Sequence, residues 1–423
     1  MNSQNTSVHK FISAYQQTPK ESLLCQLLQD LVRIPTVNPP GANYSEMVDF
    51  LANLSGGLGL EVEKHQVNAS DAIQIVPHAN DYPRFNLIAR WNVGAKKTIH
   101  FNSHYDVVPA GEGWSQPPFE PWIDGDWLYG RGSDDMKDSI AATLFAIQAL
   151  KENNLRPTHN IECSFTCDEE IGGDLGTGQI IKKGLINGDY MVNCEGGSKQ
   201  EIGCGHNGII WGKVFVHGKP AHGSRPQDGI NALEKMVELI CLMKEKLSIQ
   251  LLEASRTFVT PSQVKRFPTI NLGGVFHGPA SGKVNTVPDY ACFSFDRRVT
   301  PNETIEAVSA DIHSLIEAAN NNIPDLKAEL QVDLTISPCY VQIDNPFIKS
   351  FEEIVKKNTG ESTNFQTTSG FTDLHFLVRN GRPGLGYGPW GQNAHGIDER
   401  VSISSLIQTT KIYAELMLTP EFG

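Results

Sequence analysis

The stretch Asn160–Gly173, NIECSFTCDEEIGG, decides how the chain is read. Asn160 to Cys167 reads as a strand. Three acids follow it, Asp168, Glu169 and Glu170, and then a Gly-Gly turn. Adjacent carboxylates repel one another unless they are solvated or bound to a cation. Open α/β sheets bind ligands just beyond the carboxyl ends of their strands. The acids occupy such a place, which favours a site over a solvated acidic turn.

Working outward, Asn86–Trp91 and Lys97–His104 read as further strands, and Ile34–Gly41 (IPTVNPPG) as a loop. Ser22–Val32 and Tyr44–Leu58 read as helices, as does Ser139–Leu150, where Ile140, Leu144 and Ile147 share one face. Strands alternating with helices predict a largely parallel sheet covered on both faces. The texture changes after Gly203. Ile209–Gly218 alternates like a half-exposed strand. A helix is expected over Gly229–Leu247, strands over Thr269–Leu272 and Tyr290–Val299, a helix over Glu303–Asn320 and a strand over Ala328–Ser337. This βαββαβ order suits a four-stranded α+β sheet with two helices on one face. After Tyr340 the α/β texture returns and ends in a helix, Ser402–Leu418. The prediction is an α/β catalytic domain in two pieces, 1–207 and 339–423, with a mainly parallel central sheet. An α+β lid, 208–338, interrupts it.

The chain has 423 residues, 39% hydrophobic and 20% charged, with a net charge of −13. An acidic balance argues against nucleic-acid binding and against a polybasic membrane contact. No apolar run approaches the length of about 18 residues that a membrane span needs. Met1–Gln17 lacks the pattern of a secretory signal. The eight cysteines are dispersed and read as reduced, buried thiols, so a cytoplasmic location is expected.

Four more segments carry acids or histidines in Gly-rich turns or at strand ends. In His104-Tyr105-Asp106, residues two apart share a side, so Asp106 could hold one imidazole nitrogen of His104 while the other binds a metal; taken alone, the segment reads more plainly as a strand-end His beside a turn Asp. Gly130–Lys137 (GRGSDDMK) sets Asp134 and Asp135 before a helix, where an N-cap is the plain alternative. Glu195 follows the strand end VNC, and His395 lies in AHGIDE. Together they offer imidazole and carboxylate ligands suited to Zn²⁺, Mn²⁺ or Co²⁺.

On SHYDVVPAG (Ser103–Gly111), GRGSDDMKDS (Gly130–Ser139), DEEIGG (Asp168–Gly173), GKPAHGSRPQDGINA (Gly218–Ala232), VNTVPDYACFSFDRR (Val284–Arg298) and AHGIDER (Ala394–Arg400), the chain resembles a known family. It is the family of metal-dependent peptidases and amidohydrolases that includes acetylornithine deacetylase, succinyl-diaminopimelate desuccinylase, aminoacylase and carboxypeptidase G2. The resemblance implies that His104 and Glu195 bind one divalent metal, Glu170 and His395 a second, and that Asp135 bridges them. Zinc is the first choice, with manganese or cobalt as alternatives. It also implies a cis peptide after Asp135, Asp106 as the residue orienting His104, and Glu169 as the general base for a metal-bound hydroxide. His222 would donate to the oxyanion from a partner subunit, making the lid a homodimer contact. Arg298 would grip a substrate carboxylate, with Asn285 and the backbone of Gly370 assisting; an Arg298–Asp296 edge-strand pair is the plain alternative. The family's Gly-Thr-Asp pattern becomes Gly370-Phe371-Thr372-Asp373 here, and His375 and Trp390 depart as well, with core packing as their plain reading. The expected activity is hydrolysis of the C–N bond of a small carboxylate-bearing substrate such as an N-acyl amino acid. The alternatives are a dipeptidase or carboxypeptidase, an aminohydrolase acting on an aromatic amino carboxylate, and a non-catalytic binding protein.

Overall fold

Thr98–His104 and Asn160–Thr166 lie side by side as parallel strands. In the computed structural model, which describes residues 22–76, 79–280, 282–420 and 422, they form the middle of the main sheet. The reading of Met1–Gln17 falls outside these residues. The strand order of this nine-stranded sheet is Glu61–Gln66, Phe85–Trp91, Asn160–Thr166, Thr98–His104, Tyr190–Asn193, Gly384–Gly386, Glu201–His206, Cys339–Tyr340, with Asn364–Thr368 also paired to Glu201–His206. The four central strands, from Asn160–Thr166 to Gly384–Gly386, are parallel, and the flanking pairs are antiparallel. An apolar run tells that a strand is buried but not which way its neighbours point; Phe85–Trp91 is such a case. Short strands at Trp122–Asp124, Trp127–Tyr129, Gly391–Gln392 and Arg400–Ser402 form a separate sheet that the sequence did not announce. Two or three residues are too few to display a period.

Helix Lys137–Glu152 is buried on nearly every face, which its run of Ala, Ile, Leu and Phe permits. Helix Pro346–Thr359 starts with Asn345 accepting from Phe347 N and with Pro at its first position, and ends at Gly360 with φ +74°. Both are ordinary start and stop signals. Seven of the eight free cysteines are buried as expected; Cys241 is exposed, on the outer side of a helix. Among the described residues no helix is long and apolar enough to cross a membrane.

Contacts divide the chain into two units. One contains the residues up to Cys204, Val341–Gln366 and those from Thr372 onward; the other is Gly205–Tyr340 with Thr367–Phe371. Thr367–Phe371, expected with the 339–423 piece, groups with the second unit instead. The second unit's sheet runs Thr269–His277, Tyr290–Val299, Gly208–His217, Ala328–Ile336, all antiparallel. Helices Ala232–Gln250 and Ile305–Asn322 bury Met236, Leu239, Met243 and Leu247, and Val308, Ile312, Ile316 and Ala319, in one core with Ile210, Val214, Phe293 and Phe295. This is the three-and-four spacing of a helix with one apolar stripe.

Candidate metal centre

Parallel neighbours deliver their carboxyl ends to one place, and three adjacent strands do so here. Thr98–His104 ends on His104, Asn160–Thr166 runs into Asp168-Glu169-Glu170, and Tyr190–Asn193 ends two residues before Glu195. Two loops complete the cluster. His104 Nε2 stands 3.0 Å from Asp135 Oδ1, and His395 Nε2 stands 3.2 Å from Asp135 Oδ2 and 2.9 Å from Glu170 Oε2. Asp135 thus turns one oxygen to each histidine. Asp135, Glu170 and His395 offer ligand atoms within 4.8 Å of one another. Glu170 Oε1 is buried without a hydrogen-bond partner, and a buried carboxylate oxygen is seldom left so. One imidazole and two carboxylates with an orphaned oxygen fit a divalent cation. Glu169 Oε2 lies 3.9 Å from His104 Nε2. Asn193 Nδ2 holds Glu195 Oε2 at 3.4 Å. The Asp135–Met136 peptide is cis.

The charges are costly without a cation. Burial, and then the negative charge of Asp135, push Glu170 up to about 7 and Glu195 up to about 8. Burial and Glu195 push Glu169 well up. Burial would raise Asp135 too, but hydrogen bonds from His104 and His395 hold it below the carboxylate range. The Asp135 and Glu170 contacts lift His395 to about 10. Such opposed shifts in one cluster are a mark of a functional site.

Asp106, expected to orient His104, meets it through two groups. The backbone carbonyl of Asp106 makes the hydrogen bond to His104 Nδ1, at 3.0 Å, whereas its carboxylate lies 3.5 Å from that nitrogen. The carboxylate instead accepts from Glu169 N at 3.2 Å and Glu170 N at 3.3 Å, and from Asn38 Nδ2 at 2.9 Å. Asp106 therefore fixes the turn carrying both glutamates as well as the histidine. The sequence does not display the other supports. Asn38 also donates to Asp168, whose carboxylate takes Tyr44 Oη at 2.8 Å and Arg84 Nε at 3.0 Å, all within the buried interior. Glu399 accepts from Gly132 N, Asp134 N and Asp135 N at 2.9–3.1 Å and pairs with Arg131, tying down the loop that carries Asp135. Asp373 is buried, burial pushes its carboxyl up to about 7, and it accepts from Thr177 Oγ1 at 2.5 Å. Signals existed in AHGIDER and GFTD, but the partners lie far away in the chain. His375 is buried, with Nδ1 2.8 Å from Thr372 O, and Trp390 packs on Trp127, so both have packing roles.

Four predicted residues belong to the second unit. His222 is exposed, bridges to Thr286 and contacts Ser224 Oγ at 2.8 Å; Gly223 N donates to Asn285 O at 2.7 Å, so His222 and Asn285 are neighbours. Arg298 donates to Asp296 Oδ2 at 2.9 Å and to Ser369 O at 3.3 Å, beside Gly370. Its strand is interior, not the edge expected for an Arg–Asp pair. The adjacent Arg297 points the other way and is buried against Glu303.

The family described as peptidase family M20/M25/M40 matches residues 100–419. An uncharacterized metallohydrolase of Methanocaldococcus jannaschii is 26% identical over 93% of this chain and 98% of its own length. A succinyl-diaminopimelate desuccinylase of Methylorubrum extorquens is 28% identical over 92% and 97%. A dipeptidase structure from Saccharomyces cerevisiae superimposes with a TM-score of 0.78 at 18% identity, covering all of both chains. The chain belongs to peptidase family M20/M25/M40 and is a metal-binding hydrolase of C–N bonds.

Proposed function

We propose that the enzyme hydrolyses the amide bond of a small carboxylate-bearing substrate, an N-acyl amino acid first, with Glu169 as general base. His104 and Glu195 would hold one divalent cation, Glu170 and His395 another, and Asp135 would be shared. The observation that carries this reading is the carboxylate of Asp135, turned to His104 on one side and to His395 on the other. Zinc fits the donor set, with manganese or cobalt as alternatives. The desuccinylase relative supports an acylated amino acid as substrate.

When bound, divalent cations make water more acidic and polarise a carbonyl. Glu169 accepts the proton of the attacking water and returns it to the leaving nitrogen. Its 6% exposure keeps bulk water from competing for that proton. The carbonyl oxygen becomes negative as it is attacked and needs a donor placed in advance. We assign that task to His222, supplied by a second copy through a 208–338 lid; the enzyme is then a cytoplasmic homodimer. Arg298 grips the substrate carboxylate, with Asn285 and the Gly370 backbone assisting; a guanidinium fork suits that group.

Glu169→Gln tests the base. Turnover of a panel of N-acyl amino acids, dipeptides and aromatic amino carboxylates should fall at least about a hundredfold, with metal content unchanged by elemental analysis. Wild-type turnover, or loss of metal, would remove Glu169 from that role.

A further inference from the structure

The sheet of the second unit turns one face to its helices, the face that holds Ile210, Val214, Phe293 and Phe295. Side chains alternate along a strand, so Trp211, Lys213, Asp296 and Arg298 share the other face. On that face Arg298 has hydrogens to spare. Asp296 Oδ2 accepts from Nε at 3.2 Å and from Nη2 at 2.9 Å, and Ser369 O accepts from Nη1 at 3.3 Å. A guanidinium carries five N–H donors, so these contacts leave one on each terminal nitrogen, the pair that a carboxylate takes end-on.

The surroundings of Arg298 are uncharged or already paired. Across the ladder Arg298 faces Thr269 and Ile209, and Asp296 faces Asn271 and Trp211. Lys213, next along, is held by Asp333 at 2.9 Å. Trp211 is therefore the diagonal neighbour of Arg298, and such neighbours stand about 7–8 Å apart on one face. Ser369, which takes the Arg298 hydrogen, lies two residues before Phe371 in the segment Thr367–Phe371 of the same unit. The Phe371 ring meets the Trp211 indole edge-on, with centroids 6.5 Å apart and planes at 74°. Both rings are only half-buried, whereas the core phenylalanines Phe293 and Phe295 are 0% and 2% exposed. The pair thus presents aromatic surface beside a guanidinium instead of filling the core.

We propose that Trp211 and Phe371 are specificity-determining residues, which receive the side chain of a substrate whose carboxylate Arg298 holds and so select N-acyl amino acids with an aromatic side chain. The inference rests on the reading of Arg298 as the carboxylate grip. The α-carbon of an amino acid is one bond from its carboxylate, so its side chain spans the diagonal to the two rings. A third ring there gains edge-to-face or offset contacts, which aromatic groups make at about 4.5–7 Å between centroids. A second carboxylate on the side chain gains nothing, because the next cation on the face is already paired and the rings strip its water without replacing it.

Kinetics on the metal-loaded enzyme with N-acetylphenylalanine, N-acetylalanine and N-acetylglutamate test the proposal. Wild-type kcat/KM should be at least about tenfold higher for N-acetylphenylalanine than for either of the others. Phe371→Ala should lower that value about tenfold, through KM, and leave N-acetylalanine within about twofold. Phe371→Tyr, which keeps the ring, should stay within about twofold of wild type on both. A wild-type preference for N-acetylalanine or N-acetylglutamate, or equal losses on N-acetylphenylalanine and N-acetylalanine in Phe371→Ala, would overturn the proposal. If Phe371→Ala does not fold, Trp211→Leu is read in the same way. Arg298→Ala keeps the two readings apart. Unchanged KM for all three substrates in Arg298→Ala removes the carboxylate grip and the proposal with it. A raised KM for all three, beside an unchanged phenylalanine-to-alanine ratio in Phe371→Ala, removes only the role of the rings. No turnover of any of the three overturns both.

Discussion

Glu399→Gln is the substitution from which the structure predicts most. The Glu399 carboxylate is fully buried and accepts from the backbone of Gly132 at 2.9 Å, Asp134 at 3.0 Å and Asp135 at 3.1 Å, while pairing with Arg131. Arg131 is itself 1% exposed. Glutamine keeps the shape and one acceptor oxygen but leaves the guanidinium buried without its counter-charge. Breaking a buried pair from one side costs about 3–5 kcal/mol. Three hydrogen bonds also fall from charge-assisted to neutral strength. The same bonds fix the loop carrying Asp135, so metal affinity should drop roughly 10–100-fold. Urea melts measure the first effect, and competition with a chromogenic chelator the second. Adding Arg131→Met to Glu399→Gln should recover part of the stability, because no charge is left unpaired. It should not recover metal affinity, because the backbone tether is still weakened. A single variant within about 1 kcal/mol of wild type and with unchanged metal affinity would refute this account. So would a double variant with restored metal affinity.

Glu162 should make part of the stability acid-sensitive. Burial raises its pKa, but hydrogen bonds from His100 and Arg90 outweigh burial and hold it at about 2. A depressed carboxylate stabilises above its unfolded pKa and loses that contribution as pH falls toward the folded value, so its roughly 3 kcal/mol at neutral pH should shrink by about 2 kcal/mol at pH 3. Urea melts of wild type and Glu162→Gln should therefore converge between pH 6 and pH 3, and a pH-independent gap would contradict the assignment. Zinc or manganese at about a hundred times Kd should stabilise the metal-free enzyme by about 2.7 kcal/mol, and Asp135→Asn should remove most of that gain. A midpoint indifferent to added metal would count against the cation site.

The parts of the site that the sequence displays share a property. His104, Glu170 and Glu195 stand where strands stop, and Asp135 and His395 stand in Gly-rich turns, so local texture exposes them. The parts it conceals depend on pairs far apart. Asn38 lies in a proline loop and looks like turn chemistry, yet its amide spans Asp106 and Asp168. Arg84 precedes a strand with nothing to mark it, and it meets Asp168 in a fully buried ion pair. Glu399 sits inside a motif that is legible as a whole, but its target is the backbone of Gly132–Asp135, and backbone acceptance leaves no trace in side-chain identity. For Asp106 the residue is legible, but the nearer of its two contacts to His104 is the backbone carbonyl, at 3.0 Å against 3.5 Å for the carboxylate.

The same limit explains the polar face of the sheet. IHFNSH alternates apolar and polar residues, a pattern that ordinarily marks a strand with one side in water. Here the polar side is covered. Thr177 takes a hydrogen bond from Asn102, and Asn187 N donates to Glu162 at 2.8 Å, so the segment containing both closes over it. Periodicity assigns residues to faces but cannot say what lies over a face. A structure that needed only a core would fill this interior with aliphatic side chains, which carry no unpaired-group risk. Polar residues in these positions give orientation instead of bulk, because a hydrogen bond fixes direction and an apolar contact does not. That is the property a centre needs when its carboxylates must be held in place against mutual repulsion, and it links the sheet's interior to the site at its carboxyl end.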